Sequence, residues 1–456
     1  MQHFSGVRDG FSARKAQRDT AQVQTPGSPQ GSEIDATEVA ACAQSLSFKY
    51  SNFAGFSITS AATDLATLIS KYTNGATTIV FGVSYGTALV ERLMHLDPPE
   101  VVGYVMDGIS YVSGVSEDEF AYFSTDETAF GEVGEHFLAE VRQYLCSSHF
   151  SRHNLPTTLG NVLDQFDKNP NATCAALVNS KTSEWSNLEP SFKLREALGY
   201  ILTSPKQRSL IPPLVYRLSR CASEDIDVIN NFFDVLNDDR NYMGQSDPYY
   251  SNLLFYVIAF SEMWEIPGPS VDEMNARVAS TKLSDGSVYK QASVYYAFSK
   301  EKSQWCNDLG VGNYDANAIM YEHDQYWNKT VAIPSHASVL LLSSKMDAKT
   351  PHKYAEYLLD ALEGDNKELV TFNYTVHGSV VWTFLVDNDY SSKTCGMEIF
   401  ESFINNAGDL KRLEKSCLEK MPPLNLTPPT YEQYTFLGTA DAYEGGYNSS
   451  LRHMWG

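Results

Sequence analysis

The sequence predicts an α/β protein: a mostly parallel, doubly wound sheet with a large helical insertion and no recognisable N-terminal strands. Three observations carry this. A β-branched and aromatic run, Thr77-Thr78-Ile79-Val80-Phe81, leads through a tight turn into a helix-period segment. A second apolar run, Val101-Val102-Gly103-Tyr104-Val105-Met106, follows at once, and this β-α-β order predicts parallel pairing. After a long helical stretch the pattern of buried strands resumes at Ser338.

Taken in order, residues 1–45 are poor in large apolar side chains and carry the breaker-rich Pro26-Gly27-Ser28-Pro29, so they read as irregular. Residues 46–115 form the first part of the core. A helix from Ser60 carries Leu65, Leu68, Ile69 and Tyr72 on one face, and Asn74-Gly75 stops it. The following strand is expected to be buried on both faces. Its helix places Leu89, Val90, Leu93, Met94 and Leu96 on one side and Glu91, Arg92 and His95 on the other. Residues 116–336 change to helical periodicity and read as a cap; residues 253–264 are apolar nearly all round and predict a buried helix. Residues 337–420 return to the core. Ser338-Val339-Leu340-Leu341-Leu342-Ser343-Ser344 is a strand, Thr350-Pro351 reads as N-cap and first helical residue, and residues 368–374 form the next strand. Residues 421–456 read as an irregular tail.

Composition narrows the function. With 34 basic and 56 acidic residues the net charge is −22, which opposes binding to nucleic acid or anionic membranes. No apolar run is long enough to span a bilayer, and the first twenty residues contain no leader-like apolar region. Seven cysteines show no C-x-x-C or His-rich metal spacing, so zinc is not expected. Sequons at Asn171, Asn328, Asn373, Asn425 and Asn448 lean slightly towards a secretory route.

The chemistry lies at the turn. Gly82-Val83-Ser84-Tyr85-Gly86 between strand and helix has the form of a nucleophile elbow, with glycine expected at both flanks for steric reasons. A structural glycine-rich turn is the plain alternative. Asp347 and His377 each follow a strand at its C-terminal end, the edge where sites gather in open α/β sheets. A serine hydroxyl needs an imidazole to take its proton, and the imidazole needs an acid to hold its tautomer. The candidates are therefore Ser84 as nucleophile, His377 as base and Asp347 as acid, with the Tyr85 backbone N–H as oxyanion donor. Asp107 is the rival acid. The order Ser, Asp, His is that of the α/β-hydrolase triad.

Phe81-Gly82-Val83-Ser84-Tyr85-Gly86-Thr87, Tyr104-Val105-Met106-Asp107-Gly108 and the segment from Leu340 through Asp347 to Pro351, with His377-Gly378, resemble the tripeptidyl-aminopeptidase and proline-iminopeptidase group of α/β-hydrolase serine peptidases. The resemblance runs from about Cys42 to Cys417. It implies secreted, cofactor-free exopeptidases acting on peptides with free N-termini, and it makes Cys395 and Cys417 a pair around the terminal helix. The chain departs from that group in showing no His-Gly-Gly-Pro-Gly type oxyanion loop, no upstream strands and no signal peptide. Cys42 is thereby left without its counterpart. Carboxylates must receive the substrate amine in an aminopeptidase; Glu262 and the run Glu117-Asp118-Glu119 are candidates, against a solvated acidic face. An ester or lipid substrate, or a hydrolase-like protein that only binds partners, are the other readings.

Overall fold

The computed structural model describes residues 34–144, 150, 154–181, 189–243, 251–286 and 291–453. Its centre is a four-stranded parallel sheet in the order β1-β2-β3-β4: Thr78–Ser84, Val101–Ile109, Ser338–Ser344 and Lys367–Phe372. Alternation along each strand sends its side chains to two faces. Val339 and Leu341 join Tyr104 and Met106 under helices α2 (Ile58–Tyr72), α3 (Tyr85–Leu96) and α14 (His352–Ala361). Leu340, Leu342 and Val105 pack on the other face against α15 (Ser379–Trp382) and α16 (Cys395–Asn405). Helices thus cover both faces, as a parallel sheet requires.

Between β2 and β3 the described residues form ten helices. The first six, α4 (Asp126–Tyr144), α5 (Leu155–Lys168), α6 (Thr173–Lys181), α7 (Pro190–Leu202), α8 (Ile211–Arg220) and α9 (Ser223–Met243), share one core. That core also takes in Met346 and Ala348, so this part of the cap rests directly on the loop that carries Asp347. The remaining four, α10 (Asn252–Glu262), α11 (Val271–Ala279), α12 (Ala292–Ser299) and α13 (Gln304–Leu309), build a second, aromatic-rich core. The segment expected to be a buried apolar helix is α10, with residues 256–262 all buried.

Several expectations need correction. Residues 34–45 are not irregular throughout: α1 (Val39–Lys49) buries Val39, Ala43 and Leu46 against α12 and its neighbours, three small-to-medium apolar residues sufficing where the partner surface is aromatic. The rest of the irregular segment, 1–33, lies outside the described residues. β1 is not buried on both faces: among the described residues it stands at the sheet edge, paired with β2 alone, and Phe81 is 38% exposed and leans on Phe400. Tyr72, placed on the packed face of its helix, is exposed at the helix's last residue. The tail is not irregular throughout: residues 430–437 form a short helical segment that ends in a π-helical turn, and Leu424, Leu426, Phe436 and Leu437 enter the cap core, while the buried Arg217 donates to the carbonyls of Ala442, Asp441 and Gly445.

Two disulfides staple the fold. Cys174–Cys221 ties α6 to the end of α8, and Cys395–Cys417 closes around α16, where the resemblance places a pair. Cys42 and Cys306 carry free thiols, and Cys146 lies outside the described residues.

Candidate active site

The turn after β1 holds Ser84 at φ 56°, ψ −128°, a conformation that L-residues rarely adopt and that persists only where surrounding structure enforces it. The enforcement is visible at Gly82. A Cβ there would lie 2.4 Å from the Gly86 carbonyl oxygen and 2.7 Å from Val90, so the strand and α3 approach too closely for any side chain. Gly86 is different: a Cβ would meet nothing within 4 Å, and its φ is not positive. Only one of the two elbow glycines is therefore sterically required. Tyr85 is the first residue of α3, and its N–H is among those an α-helix does not use internally.

Across the sheet, the loop after β3 builds the acid. Asp347, 1% exposed, accepts the backbone N–H groups of Lys349 and Thr350 on Oδ1, both at 3.0 Å. Its Oδ2 accepts the Thr350 hydroxyl at 2.6 Å and lies 2.9 Å from His377 Nδ1. Thr350 Oγ1 is itself 3.0 Å from the same ring nitrogen. Thr350 is thus not a helix cap; Pro351 occupies that place and α14 begins at His352. Sequence reading assigned the hydroxyl to the helix, and nothing in the spacing reveals that it turns instead towards the carboxylate.

Gly108 is a second residue the sequence did not single out. The register slips between Val83↔Asp107 and Ser84↔Ile109, so Gly108 is the extra residue of a bulge, at φ 67°. A Cβ there would lie 2.7 Å from Thr350 Oγ1 and 2.9 Å from His377 Cε1. The bulge lets backbone line the imidazole beside the strand that ends in Ser84.

The structure brings Asp347 and His377 into contact after β3 and β4 and sets Ser84 at the C-terminal end of β1, on the far side of β2. The hydrogen bonds of His377 are made through Nδ1; Nε2, the nitrogen that would meet a nucleophile, makes none among the described residues, and Ser84 is not bonded to it. Burial works against a charged imidazole, but the neighbouring Asp347 carboxylate, its hydrogen bond and Asp107 together outweigh it, so the His377 pKa lies above its ordinary value. The rival acid is otherwise engaged. Asp107, fully buried, accepts the N–H groups of Ser379 and Val380, each at 2.8 Å.

Glu262 is buried and engaged by neighbouring side chains. It is 3% exposed, paired with Arg92 at 3.1 Å, and accepts the Tyr321 hydroxyl at 3.0 Å and the Ile58 N–H at 3.3 Å. Glu91 and Arg92, read as the polar side of their helix, are consequently buried: the cap covers that side, with Arg92 held by Glu262 and Glu91 by Ser113. Of the run Glu117-Asp118-Glu119 at the cap's beginning, Glu117 and Asp118 are exposed and Glu119 is half-buried. Among the sequons, Asn328 has its side chain engaged with the backbone of Gly114 and Val115, while Asn171 and Asn373 are exposed. No cluster of His, Cys, Asp and Glu among the described residues could hold a metal, and no helix among them is long and apolar enough to cross a membrane.

Compared with the models of known protein families and with curated proteins, the chain matches none. The likeness to aminopeptidases therefore rests on the short motifs around Ser84, Asp107, Asp347 and His377.

Proposed function

We propose that the protein is a serine hydrolase of α/β-hydrolase architecture, acting as an exopeptidase on short peptides with free N-termini. The observation that carries this reading is the Asp347–His377 contact of 2.9 Å at the same sheet edge as a serine held at φ 56°, ψ −128°. In this mechanism His377 Nε2 takes the Ser84 proton as the hydroxyl attacks the scissile carbonyl. Asp347 stabilises the imidazolium and fixes Nδ1 as the protonated nitrogen, and the Tyr85 N–H faces the developing oxyanion. The imidazolium then protonates the leaving amine, and water activated by the same nitrogen releases the acyl group from Ser84. Peptide rather than ester specificity, and export from the cell, rest on the motif resemblance; two disulfides accord with an oxidising compartment.

A fluorophosphonate probe tests the nucleophile. Wild type should label stoichiometrically at Ser84 and Ser84→Ala not at all. Equal labelling of the two would remove the proposal. Peptidyl aryl-amides against acyl esters then fix the substrate class.

A further inference from the structure

We propose that Asp107 is a positioning residue for His377: it anchors the histidine loop to β2 through the backbone of the two residues that open α15. This rests on the serine hydrolase reading for its catalytic consequence, though not for its geometry.

Asp107 lies inside the sheet, paired with Val83 on β1 and Leu342 on β3, and has no access to solvent. An unpaired carboxylate in such a place would be costly. Its two oxygens instead take one N–H each from Ser379 and Val380. Those are the first residues of α15, and the preceding Gly378, at φ 88°, has no side chain to cap the helix. A carboxylate reached from another strand supplies the cap, two charge-assisted bonds at the positive end of the helix. The histidine loop is thereby fixed from two strands. Asp347, after β3, holds the ring, and Asp107, on β2, holds the chain two and three residues beyond it.

The next residue on β2 completes the arrangement. Gly108 presses backbone against the His377 ring, so the Asp107-Gly108 pair both seats the imidazole and secures its loop. Behind α15, the Thr383 and Thr394 hydroxyls donate to the carbonyls of Ser379 and Val380, which holds the same two residues through their other backbone groups. Asparagine could not replace the acid, because its NH₂ would confront one of the two N–H donors.

Charge adds a second consequence. The charged groups acting on His377 are Asp347 and Lys349 on the loop after β3 and Asp107 on β2; Asp107 in turn faces Asp347 and His377. Burial is the main influence on Asp107 and pushes its carboxyl up to about 6, against the two N–H bonds that lower it.

The test is NMR on the full chain. In wild type the Ser379 and Val380 amide protons should shift together with the ionisation of Asp107, near pH 6. In Asp107→Asn those amides should exchange about tenfold faster or more, and the His377 midpoint should fall as a nearby negative charge is lost. Asp347→Asn serves as the control: it lowers the His377 midpoint but leaves the two amides protected. Unchanged amides and an unchanged His377 midpoint in Asp107→Asn overturn the proposal. Should that variant fail to fold, the wild-type titration decides alone, and pH-independent Ser379 and Val380 shifts overturn it. Fluorophosphonate labelling separates the two levels. Labelling of Asp107→Asn slowed on the order of ten- to a hundredfold supports the positioning role; an unlabelled wild type with the stated amide behaviour supports the anchor and removes the hydrolase.

Discussion

Two buried charged clusters flank the elbow, and they are built from similar parts to different ends. Around Arg92, the guanidinium meets Glu262, Asp324, Thr59 and Tyr111, while Glu262 also takes Tyr321 and a backbone N–H; the cluster closes on itself and joins α2, α3 and the cap. Around Asp347, every acceptor site is likewise directed inward, but the chain of bonds ends on a histidine whose side chain is 25% exposed and whose Nε2 is unengaged among the described residues. Burial and pairing alone therefore do not mark an active site. A site capable of chemistry keeps one reactive atom facing outward, backed by groups that cannot move.

The sharpest way to break this comparison is to remove the acid from each cluster. Asp347→Asn should leave the fold intact and cut fluorophosphonate labelling by about 10⁴-fold, the loss expected when an imidazole is held in the wrong tautomer. Glu262→Ala should do the reverse. It strands a buried guanidinium, a change that costs about 3–5 kcal/mol, while the fraction that remains folded labels at the wild-type rate. Arg92→Met combined with Glu262→Leu should recover much of that stability, which chemical denaturation measures directly. If Glu262→Ala instead abolished labelling at unchanged stability, the Arg92 cluster would be part of the site and the distinction drawn here would collapse.

A smaller effect sharpens the difference by pH. Attack requires neutral His377, and its pKa is raised, so labelling should increase about tenfold per pH unit up to a midpoint above the usual 6.5. Stability runs the other way. A group whose folded pKa is raised stabilises fully below its unfolded value and loses that contribution as pH rises through the folded one. Across the window just above 6.5, the protein should become more reactive and slightly less stable. The histidines that feel the Arg92 cluster, His95 and His323, run the other way: burial holds both below their ordinary value, so their contribution to stability grows as pH rises.

These contrasts also show what sequence alone can convey. The parallel strands were legible because Val101–Ile109 and Ser338–Ser344 are continuous apolar runs, and a doubly covered strand has no other way to be written. The placement of Ser84, Asp347 and His377 at or past the C-terminal ends of β1, β3 and β4 was legible because each follows a strand-like segment. The edge position of β1 was not, since a β-branched run looks the same with one neighbour or two. Nor was the burial of Glu91 and Arg92: helical periodicity separates polar from apolar faces but is blind to a cap arriving from 170 residues away to neutralise the polar one. Thr350 and Gly108 were missed for a related reason. Their roles depend on a bulge and on a loop closing over it, and neither leaves a local pattern.

The mildest perturbation concerns the two elbow glycines, which the motif treats alike and the structure does not. Gly82→Ala forces a Cβ into backbone 2.4 Å away and should cost about 1–3 kcal/mol, as overpacking does. Gly86→Ala places its methyl group in open space at the second residue of α3, where alanine favours helix over glycine. It should therefore fold as well as wild type or gain up to about 1 kcal/mol, read as a small rise in melting temperature. Labelling of this variant then reports on the space itself. If the acyl group occupies the open space beside Gly86, a bulky fluorophosphonate should react more slowly with Gly86→Ala than a small one does, although the protein is no less stable. Equal slowing for both probes would place the effect in the backbone of the turn and not in that space.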